Sequence, residues 1–421
     1  MRLTIVVLLG GLSVLLIGYG LLGTLLGVRA TIEQLSNVQT GLVMMGYYLG
    51  YIIGTVSGPG IIQRVGHIRS FAAFAALGAA TTLLFGLLTG AAWWFPLRVL
   101  SGAAMVGLYM VVESWLNEKT PASSRGRVFA IYMITTLLAL ASGQFLLLIY
   151  DPASLAPFAL ATVLVVLAII PIAVTRVAEP SIDTHPHLPL LQLFRLSPLG
   201  VAGVVIAGMV NGAFWGMTPV FGARLDMTAG DIAGLMSATI VGGALLQLPI
   251  GHLSDRHDRR RVLILVCLAA ALTALAAGLT VQAQWPGLNL IAFVYGGLMF
   301  SVYAISVAHT NDHLQPGQVL GATRGLLLLY GLGALAGPSA GGWIMDRYAA
   351  VGLPYFSAIM LLLLVCYGLY RMTQRNSPPI EEQAEFVPLA RTSPIVIEMH
   401  PLLDGESTGE DSTHPEPRDV S

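Results

Sequence analysis

The densest group of ionisable side chains lies in the decapeptide Gly251–Arg260, which joins two long apolar runs. Within it, Asp255 could accept hydrogen bonds from Arg256 or Arg259, and such charge-assisted bonds break when the acid is protonated or paired elsewhere. Charged groups are costly to hold next to hydrocarbon, so their position between two apolar runs favours a functional explanation. We therefore predict that these residues form a breakable, salt-bridged gate, with Gly251 leading into it.

The composition of the chain is that of an integral membrane protein. Of its 421 residues, 55% are hydrophobic and 10% are charged, whereas soluble domains carry roughly 25% charged residues. A spanning helix needs about 20 apolar residues, and runs of that length recur twelve times. Their centres lie near Leu15, Leu49, Ala80, Ala104, Leu138, Val165, Ala207, Val241, Leu272, Val294, Gly333 and Leu363. We predict an all-α membrane protein with twelve transmembrane helices.

The longest polar interval between these spans divides them into six and six. It is rich in proline and lies after the sixth span. We therefore predict an N-terminal half over residues 1–175, a linker over residues 176–197 and a C-terminal half over residues 198–375. The two halves are expected to be separate six-helix units of one monomer.

Basic residues indicate how the chain lies in the membrane. Lys and Arg concentrate in cytoplasmic loops, and here twelve of them lie in the loops after even-numbered spans against three in the opposite loops. We predict that both termini and the linker are cytoplasmic, in the cell (inner) membrane, with a basic face that suits anionic lipid. Residues 376–421 contain ten acids and two arginines, a composition that predicts a disordered acidic cytoplasmic tail.

Polar breaks recur at a nearly constant spacing in the two halves. Gln63–Arg69, after the second span, matches Asp255–Arg261, after the eighth, 192 positions later. Glu113, near the end of the fourth span, matches His309, 196 positions later. This repeat predicts two pseudo-symmetric halves, the architecture that allows a protein to rock around a central site. It adds three candidates to the gate: Arg64, Arg69 and Glu113.

The loop after the eighth span resembles a signature of the major facilitator superfamily, in which a Gly, a small residue, Asp-Arg and a basic pair recur. Gly251, Asp255, Arg256, Arg259 and Arg260 fit this signature. Asp258 stands where the signature usually has Gly, and in the first half Gln63 replaces the acid. The resemblance therefore places the inner gate mainly on Asp255. It also implies the two-lobed fold of that superfamily, with the first, fourth, seventh and tenth spans lining the cavity.

Further residues narrow the resemblance. Arg98–Gly102 is similar to the Arg-x-x-x-Gly element that the superfamily carries in its fourth span. Glu113–Leu116 and Ala308–Asp312 are similar to an uncharacterised bacterial group, the YcaD-like branch. The resemblance implies that Arg98 faces the transport path, whereas an arginine near a helix end could instead extend to the membrane surface.

Glu113 follows Arg98 by 15 residues, which is about 22 Å along a helix, so the two cannot form an ion pair. We expect Glu113 to pair with Arg64, Arg69 or Arg125 at the inner face. The alternative is an ordinary carboxylate at a helix end.

Polar and aromatic side chains inside the spans usually face protein or water. As residues of the transport path we therefore predict, besides Arg98, a group of five: Tyr19, Gln144, Asn211, Trp215 and Gln247. Packing between helices is the alternative for these residues. Tyr47, Tyr48 and Tyr51, next to glycines at four-residue spacing, are typical of a close-packing surface. In the eleventh span, a Gly-Pro element predicts helix bending, with Gly337, Pro338 and Gly341 as its residues.

Together these features predict a secondary transporter that moves a small molecule by alternating access, with proton coupling as an option. A facilitative uniporter and a membrane sensor derived from a transporter remain the alternatives. Gly337–Gly341 fits the G-x-S-x-G pattern of hydrolases, but no strand precedes it, so we predict no enzyme. The spacing of His309, Asp312 and His313 could suit a metal, but we assign no metal and no cofactor, and we expect no nucleic-acid partner.

Overall fold

The computed structural model describes residues 3–121, 124–174, 188–284, 286–315 and 318–374, together with Gln383, Phe386, Thr392, Ser393 and Ile395. Over these residues the chain forms fourteen α-helices and no strand. The predicted all-helical fold is thereby confirmed. Residues 176–187 of the predicted linker lie outside the described residues.

The first seven helices precede the linker. They are α1 (Leu3–Ile32), α2 (Asn37–Val65), α3 (His67–Leu87), α4 (Ala91–Lys119), α5 (Arg125–Gln144), α6 (Ala156–Leu167) and α7 (Ile169–Val174). A short 3₁₀ turn, Phe145–Leu148, continues α5.

The other seven helices follow the linker. They are α8 (Leu190–Leu196), α9 (Pro198–Arg224), α10 (Ala229–Asp255), α11 (Arg259–Gln282), α12 (Leu288–Asn311), α13 (Val319–Tyr348) and α14 (Gly352–Gln374). Every predicted span centre lies in its own helix, α1 to α6 and α9 to α14. Among the described residues, ten helices are long and apolar enough to cross a membrane. The other two centres lie in α2 and in the shorter apolar stretch Ala156–Pro171, so length and composition do not reach the predicted count of twelve.

The same cap begins the second helix of each half. At the start of α2, Ser36 Oγ accepts the N–H of Gln39 at 3.1 Å, and the Gln39 side chain accepts the N–H of Ser36 at 3.0 Å. Thr228 and Asp231 make the same reciprocal pair at the start of α10. Such capping boxes satisfy two backbone donors that the first turn of a helix leaves unpaired. Ser36 and Thr228 are 192 positions apart, which is the spacing of the repeat.

The packing of the helices repeats as well. In the first half, α1 packs on α5 and α6, α2 packs on α4, and α3 packs on α4 and α6. In the second half, α9 packs on α13 and α14, α10 packs on α12, and α11 packs on α12 and α14. These pairs correspond one to one, so the two halves are two bundles with the same internal arrangement. The halves meet where α2 packs on α13, α5 on α10 and α1 on α9.

Glycines bring the backbones of paired helices into contact. Gly50 of α2 lies on the backbone of Val99 in α4, and Gly242 of α10 lies on the backbone of Phe293 in α12. Small residues dominate such contacts in membranes because lipid tails are as apolar as leucine, so helices associate through close packing and not through the hydrophobic effect.

The Gly-Pro element of α13 also packs closely. Gly333 and Gly337 lie on the backbone of α9 at Val205 and Met209, and Pro338 lies over Gly41 of α2. The element therefore joins α13 both to its own half and to the other half. The bending predicted for Gly337, Pro338 and Gly341 stays a prediction.

The five described residues of the C-terminal tail are packed against the bundle. Phe386, Ser393 and Ile395 have exposed fractions of 9%, 0% and 3%. Their apolar and hydroxyl groups contact the helix bundle, and the disorder expected for the tail as a whole stays a prediction. The rest of residues 376–421 lies outside the described residues.

The contact at Gly50 leads to a prediction about stability. A Cβ added there would overlap the carbonyl group of Val99, so Gly50→Ala should force α2 away from α4 and lower the thermal midpoint of the purified protein by several degrees. Gly60→Ala on the same helix is the matched control, because a Cβ there has no neighbour within 4 Å and alanine favours a helix more than glycine does. Equal midpoints for the two variants would contradict the packing role of Gly50.

Candidate substrate cavity and gates

A cavity of about 210 Å³ lies between the two halves. It is lined by α1, α2, α4 and α5 of the first half and by α9, α10, α12 and α13 of the second. The lining therefore includes the four spans that the family resemblance implied and four more. Eight aromatic side chains line it: Tyr19, Tyr47, Tyr48, Tyr51, Tyr109, Trp215, Phe300 and Tyr330. A largely aromatic wall with a few polar groups is typical of a site for a small organic molecule.

Arg98 supplies the charge of this cavity, and the other lining residues are all uncharged. Its side chain is 8% exposed, and its guanidinium carbon lies 4.9 Å from the centroid of the Tyr47 ring. Its Nε–H is buried with no hydrogen-bond partner among the described residues. Arg98 therefore points into the cavity, and a buried cation of this kind favours an anionic or hydrogen-bond-accepting ligand.

The polar residues predicted for the transport path are only partly in the lining. Tyr19, Gln144, Trp215 and Gln247 line the cavity. Asn211 does not line it, because its side chain donates to the Ala207 carbonyl of its own helix at 2.7 Å. The role of Asn211 in the transport path stays a prediction.

The two glutamines of the cavity wall differ in their bonding. Gln144 is held in place, because its amide donates to the carbonyls of Leu140 at 2.9 Å and Gly20 at 3.2 Å and its oxygen accepts from Thr24. It thereby ties α5 to α1. The Nε2 of Gln247 is buried without a partner among the described residues, so it is available to a ligand.

The tyrosines of α2 line the cavity, which the sequence analysis did not predict. Gly46, Gly50 and Gly54 do form the close-packing surface, and they face α4. Tyr47 and Tyr51 are offset from the glycines by one helical position and therefore face the interior. The helical periodicity of the glycines could have separated the two faces.

One end of the bundle, here called the basic end, carries Arg64, Arg69, Arg256, Arg259 and Arg261. Arg259 begins α11 and its side chain is 1% exposed. It binds Asp255 at 2.8 Å and Asp312 at 2.6 Å. The predicted bond from Arg259 to Asp255 is confirmed. All three residues belong to the second half, so this salt bridge holds the ends of α10, α11 and α12 together and does not by itself lock the halves.

His67 is the counterpart of Arg259 in the first half. It begins α3, lies 192 positions before Arg259 and is 3% exposed. Its Nε2 lies 3.0 Å from the hydroxyl of Ser114 in α4, just as Arg259 reaches the end of α12. The repeat spacing could have identified this residue, which the sequence analysis did not single out.

Arg64, Arg69 and Arg256 are exposed at the surface of the basic end. This exposure suits residues that set the orientation in the membrane, and their gating role stays a prediction. Asp258 is the N-cap of α11, because its carboxylate accepts the N–H of Arg260 at 3.0 Å. The departure from the usual Gly of the signature therefore gives α11 a side-chain cap.

Glu113 is fully buried near the basic end of α4. Its carboxylate accepts hydrogen bonds from the hydroxyls of Tyr132, Thr392 and Ser393. Two of these donors come from the C-terminal tail, which the sequence analysis did not connect to the bundle. The expected pairing of Glu113 with Arg64, Arg69 or Arg125 stays a prediction.

At the other end, here called the clasp end, the two halves are bound directly by Leu35, Asn37, Arg224 and Asp346. The carboxylate of Asp346 accepts the N–H groups of Asn37 and Val38, both at 3.2 Å. It therefore caps the N-terminus of α2, where the helix dipole favours an anion. Arg224 donates from Nε to the Asn37 side chain at 3.1 Å and from Nη2 to the Leu35 carbonyl at 2.5 Å.

The cavity reaches from the clasp end towards the basic end. Arg98 lies seven residues after Ala91, the first residue of α4 at the clasp end, which is about 10 Å along the helix. At the far side the lining includes Thr392, which binds Glu113 near the basic end. The cavity therefore lies between the clasp and the tail.

Two repeating helical halves around a central cavity are the architecture of a membrane transporter. The sequence model of the Major Facilitator Superfamily matches residues 8–244 and 200–402. The chain belongs to this superfamily. The relatives include "Uncharacterized MFS-type transporter YcaD" of Escherichia coli O17:K52:H18, 28% identical over 367 residues that cover 86% of this chain and 95% of that protein. The same protein of Shigella flexneri is also 28% identical, over the same shares of the two chains. The predicted resemblance to the YcaD-like branch is confirmed.

Solved structures share the fold at low sequence identity. The nucleoside transporter NupG has a TM-score of 0.73 at 12% identity, covering 89% of this chain and all of that chain. A bacterial homolog of the human lysosomal transporter Spinster, inward-facing and occupied, has a TM-score of 0.68 at 14% identity, covering 90% of this chain and 97% of that chain. A point variant of the fucose:proton symporter FucP of Escherichia coli has a TM-score of 0.51 at 16% identity, covering 87% of this chain and 99% of that chain.

The Arg259 bridge leads to a second stability prediction. Arg259→Met should leave the buried Asp312 without its cation, and breaking a buried pair in this way costs about 3–5 kcal/mol of unfolding free energy. Arg259→Met combined with Asp312→Leu should recover much of this loss, because both charges are then gone. Arg261→Met is the control, since that side chain is 72% exposed, and it should leave unfolding in sodium dodecyl sulfate unchanged. A double variant that is no more stable than Arg259→Met would contradict a paired, buried bridge.

Proposed function

We propose that the chain is a secondary transporter that carries a small molecule through the membrane by exposing its central cavity to one side at a time. The observation that supports this most directly is the cavity between two halves of like architecture, bound directly to each other at the clasp end. Paired repeats around a site near the midplane are the architecture of alternating access.

The orientation follows from the basic loops. Because Lys and Arg favour the cytoplasmic side, the basic end faces the cytoplasm and both termini lie there. Residues 1–175 and 198–375 are the two moving halves of a monomer, joined by the linker 176–197. We infer the inner membrane of a bacterium as the location, from the bacterial relatives.

The cavity favours a substrate with a weakly acidic or strongly hydrogen-bond-accepting head and a flat apolar body. Arg98 and the amide of Gln247 offer donors to the head. The aromatic wall, with Trp215 and Phe300 at 6.3 Å between ring centroids, offers stacking surface to the body.

Proton coupling would have to involve a carboxylate outside the described cavity lining, which contains none. Glu113 is the candidate, because it is fully buried and bonded to Tyr132, whose ring is also fully buried. Facilitated diffusion without coupling is the alternative mode for the same cavity.

The clasp gives a direct test of alternating access. Leu137 lines the cavity, and Leu137→Cys, in a protein with Cys267 and Cys366 replaced by alanine, reports which side of the membrane reaches it. A membrane-impermeant maleimide should label this cysteine from the cytoplasmic side. Arg224→Gln with Asp346→Asn should add labelling from the outside, because the charged bonds that join the halves at the clasp end are lost.

Arg29→Gln is the matched control for this experiment. Arg29 lies 195 positions before Arg224 but stays within the first half, bound to Glu33 at 2.7 Å. Its loss should leave labelling from the outside unchanged. The same labelling pattern with and without the Arg224 and Asp346 substitutions would contradict the proposed opening of the clasp.

The substrate class is tested with three ligands of one shape. 2-Naphthoate, 2-naphthamide and 2-naphthylmethylamine differ in charge. Titration calorimetry of the purified protein should show that the acid binds about tenfold or more tightly than the other two ligands. This difference is expected because a charged hydrogen bond contributes about 1.5–3 kcal/mol. Arg98→Gln should abolish this preference and Arg98→Lys should keep part of it. Arg127→Gln, at an exposed arginine, should change nothing. An equal affinity for the amine, or a preference that survives Arg98→Gln, would refute this substrate class.

A further inference from the structure

Residues of the protein's own C-terminal tail lie at the basic end of the bundle, and one of them, Thr392, lines the cavity. We propose that Phe386, Thr392, Ser393 and Ile395 form a strap that docks across the basic end, joins the two halves there and covers the exit of the cavity. The docking itself is independent of the proposed function, and its effect on the cavity rests on that function.

Phe386 attaches the strap to the second half. It is 9% exposed and belongs to the same apolar core as the residues of α9 to α14. Its backbone N–H donates to Asp255 Oδ1 at 2.8 Å. Its ring lies so close to Gly251 that a Cβ on that glycine would overlap the ring. The glycine and the acid of the signature loop therefore form the seat of this residue.

Ser393, Thr392 and Ile395 attach the strap to the first half. Ile395 is 3% exposed within the apolar core of α1 to α6. The hydroxyls of Thr392 and Ser393 donate to the carboxylate of Glu113. Ser393 is fully buried, and its Oγ also accepts the N–H of Ile395 at 3.2 Å. These bonds fix the strap to the buried end of α4.

The two anchors lie in different halves of the protein. Asp255 ends α10 in the second half, and Glu113 lies near the end of α4 in the first. The direct bonds between halves described above are at the clasp end, so the strap supplies a connection at the basic end. Thr392 is itself part of the cavity lining. A ligand leaving towards the basic end therefore meets the strap.

The strap accounts for two residues that the gate hypothesis placed in a salt-bridged lock. Gly251 has no side chain to give to a gate, but its open surface receives an aromatic ring. Asp255 uses one oxygen for both Arg259 and the strap, so the signature loop positions the tail as well as α11. The strap must detach before the cavity can open fully to the cytoplasm.

Hydrogen exchange of the full chain tests the docking without any need for transport. In the wild-type protein, the amides of Phe386 and Ile395 should exchange slowly, because both are hydrogen-bonded and a bound amide exchanges only through a local opening step. Phe386→Ala with Ile395→Ala should raise their exchange to that of an unstructured peptide. Leu191→Ala, at a side chain 63% exposed on α8, should not. Unprotected amides in the wild-type protein would overturn the strap.

Gly251→Ala tests the seat while the tail sequence stays intact. In a cysteine-free background, Thr136→Cys lies in the cavity lining, and labelling from the cytoplasmic side reports whether the exit is covered. A minor form in which the strap is detached is at most about 10% populated. Gly251→Ala should make this form the major one and so accelerate labelling about tenfold or more, whereas Gly60→Ala should not change the rate. Unchanged labelling in both Gly251→Ala and Phe386→Ala would overturn the covering role. If the tail amides exchange slowly but the cavity cysteine is labelled from neither side of the membrane, the result would instead count against the proposed transport.

Discussion

Helices in a lipid bilayer gain little from hiding apolar side chains from one another, because the lipid is equally apolar. Close contact between backbones is therefore the interaction on which this bundle depends. Within the halves, glycines such as Gly50 and Gly242 lie directly on a neighbouring backbone. Between the halves, contacts such as Gly41 on Pro338 are supplemented by a few exchangeable hydrogen bonds from Asp346 and Arg224. Each half can thus be rigid while the boundary between them opens.

The two buried arginines, Arg259 and Arg98, differ in the same way: one is bound within a half, and the other faces the cavity between the halves. Arg259 is held by two carboxylates inside one half, so it stabilises that half. Arg98 lies beside the Tyr47 ring and keeps a donor directed at the cavity. A charge that is satisfied within the protein maintains structure, and a charge that is left to a ligand selects the ligand. The glycine and acid of the signature loop then combine two tasks, since they end α10 and seat the tail.

Much of the fold could be predicted from the sequence, because hydropathy and a repeat are properties of local composition. The spacing of 192 positions that predicted paired halves also relates Arg259 to His67 and Thr228 to Ser36. The Asp255 to Arg259 bond could be predicted since only four positions separate the two residues in the sequence. Membrane spans with many glycines and tyrosines, such as α2, are harder to classify because their apolar surface is small.

Contacts between residues far apart in the chain could not be predicted. Asp346 caps α2 across 309 positions, and Ser393 reaches Glu113 across 280. Neither contact leaves a periodic pattern in the sequence. Composition even pointed the other way for the tail, because its acidic residues outnumber the few apolar and hydroxyl groups that bind the bundle. Nor does the sequence show that a polar side chain in a span, such as Asn211, bonds to its own helix.

Distances across both ends of the bundle test the central claim most directly. Spin labels can be placed at the exposed residues Gln34 and Asp226 for the clasp end, and at Arg64 and His257 for the basic end. As ligand and pH are varied in lipid nanodiscs, the first distance should lengthen in the same molecules in which the second shortens. Two distances that stay fixed under all conditions, or that lengthen together, would contradict two rigid halves that alternate around one cavity.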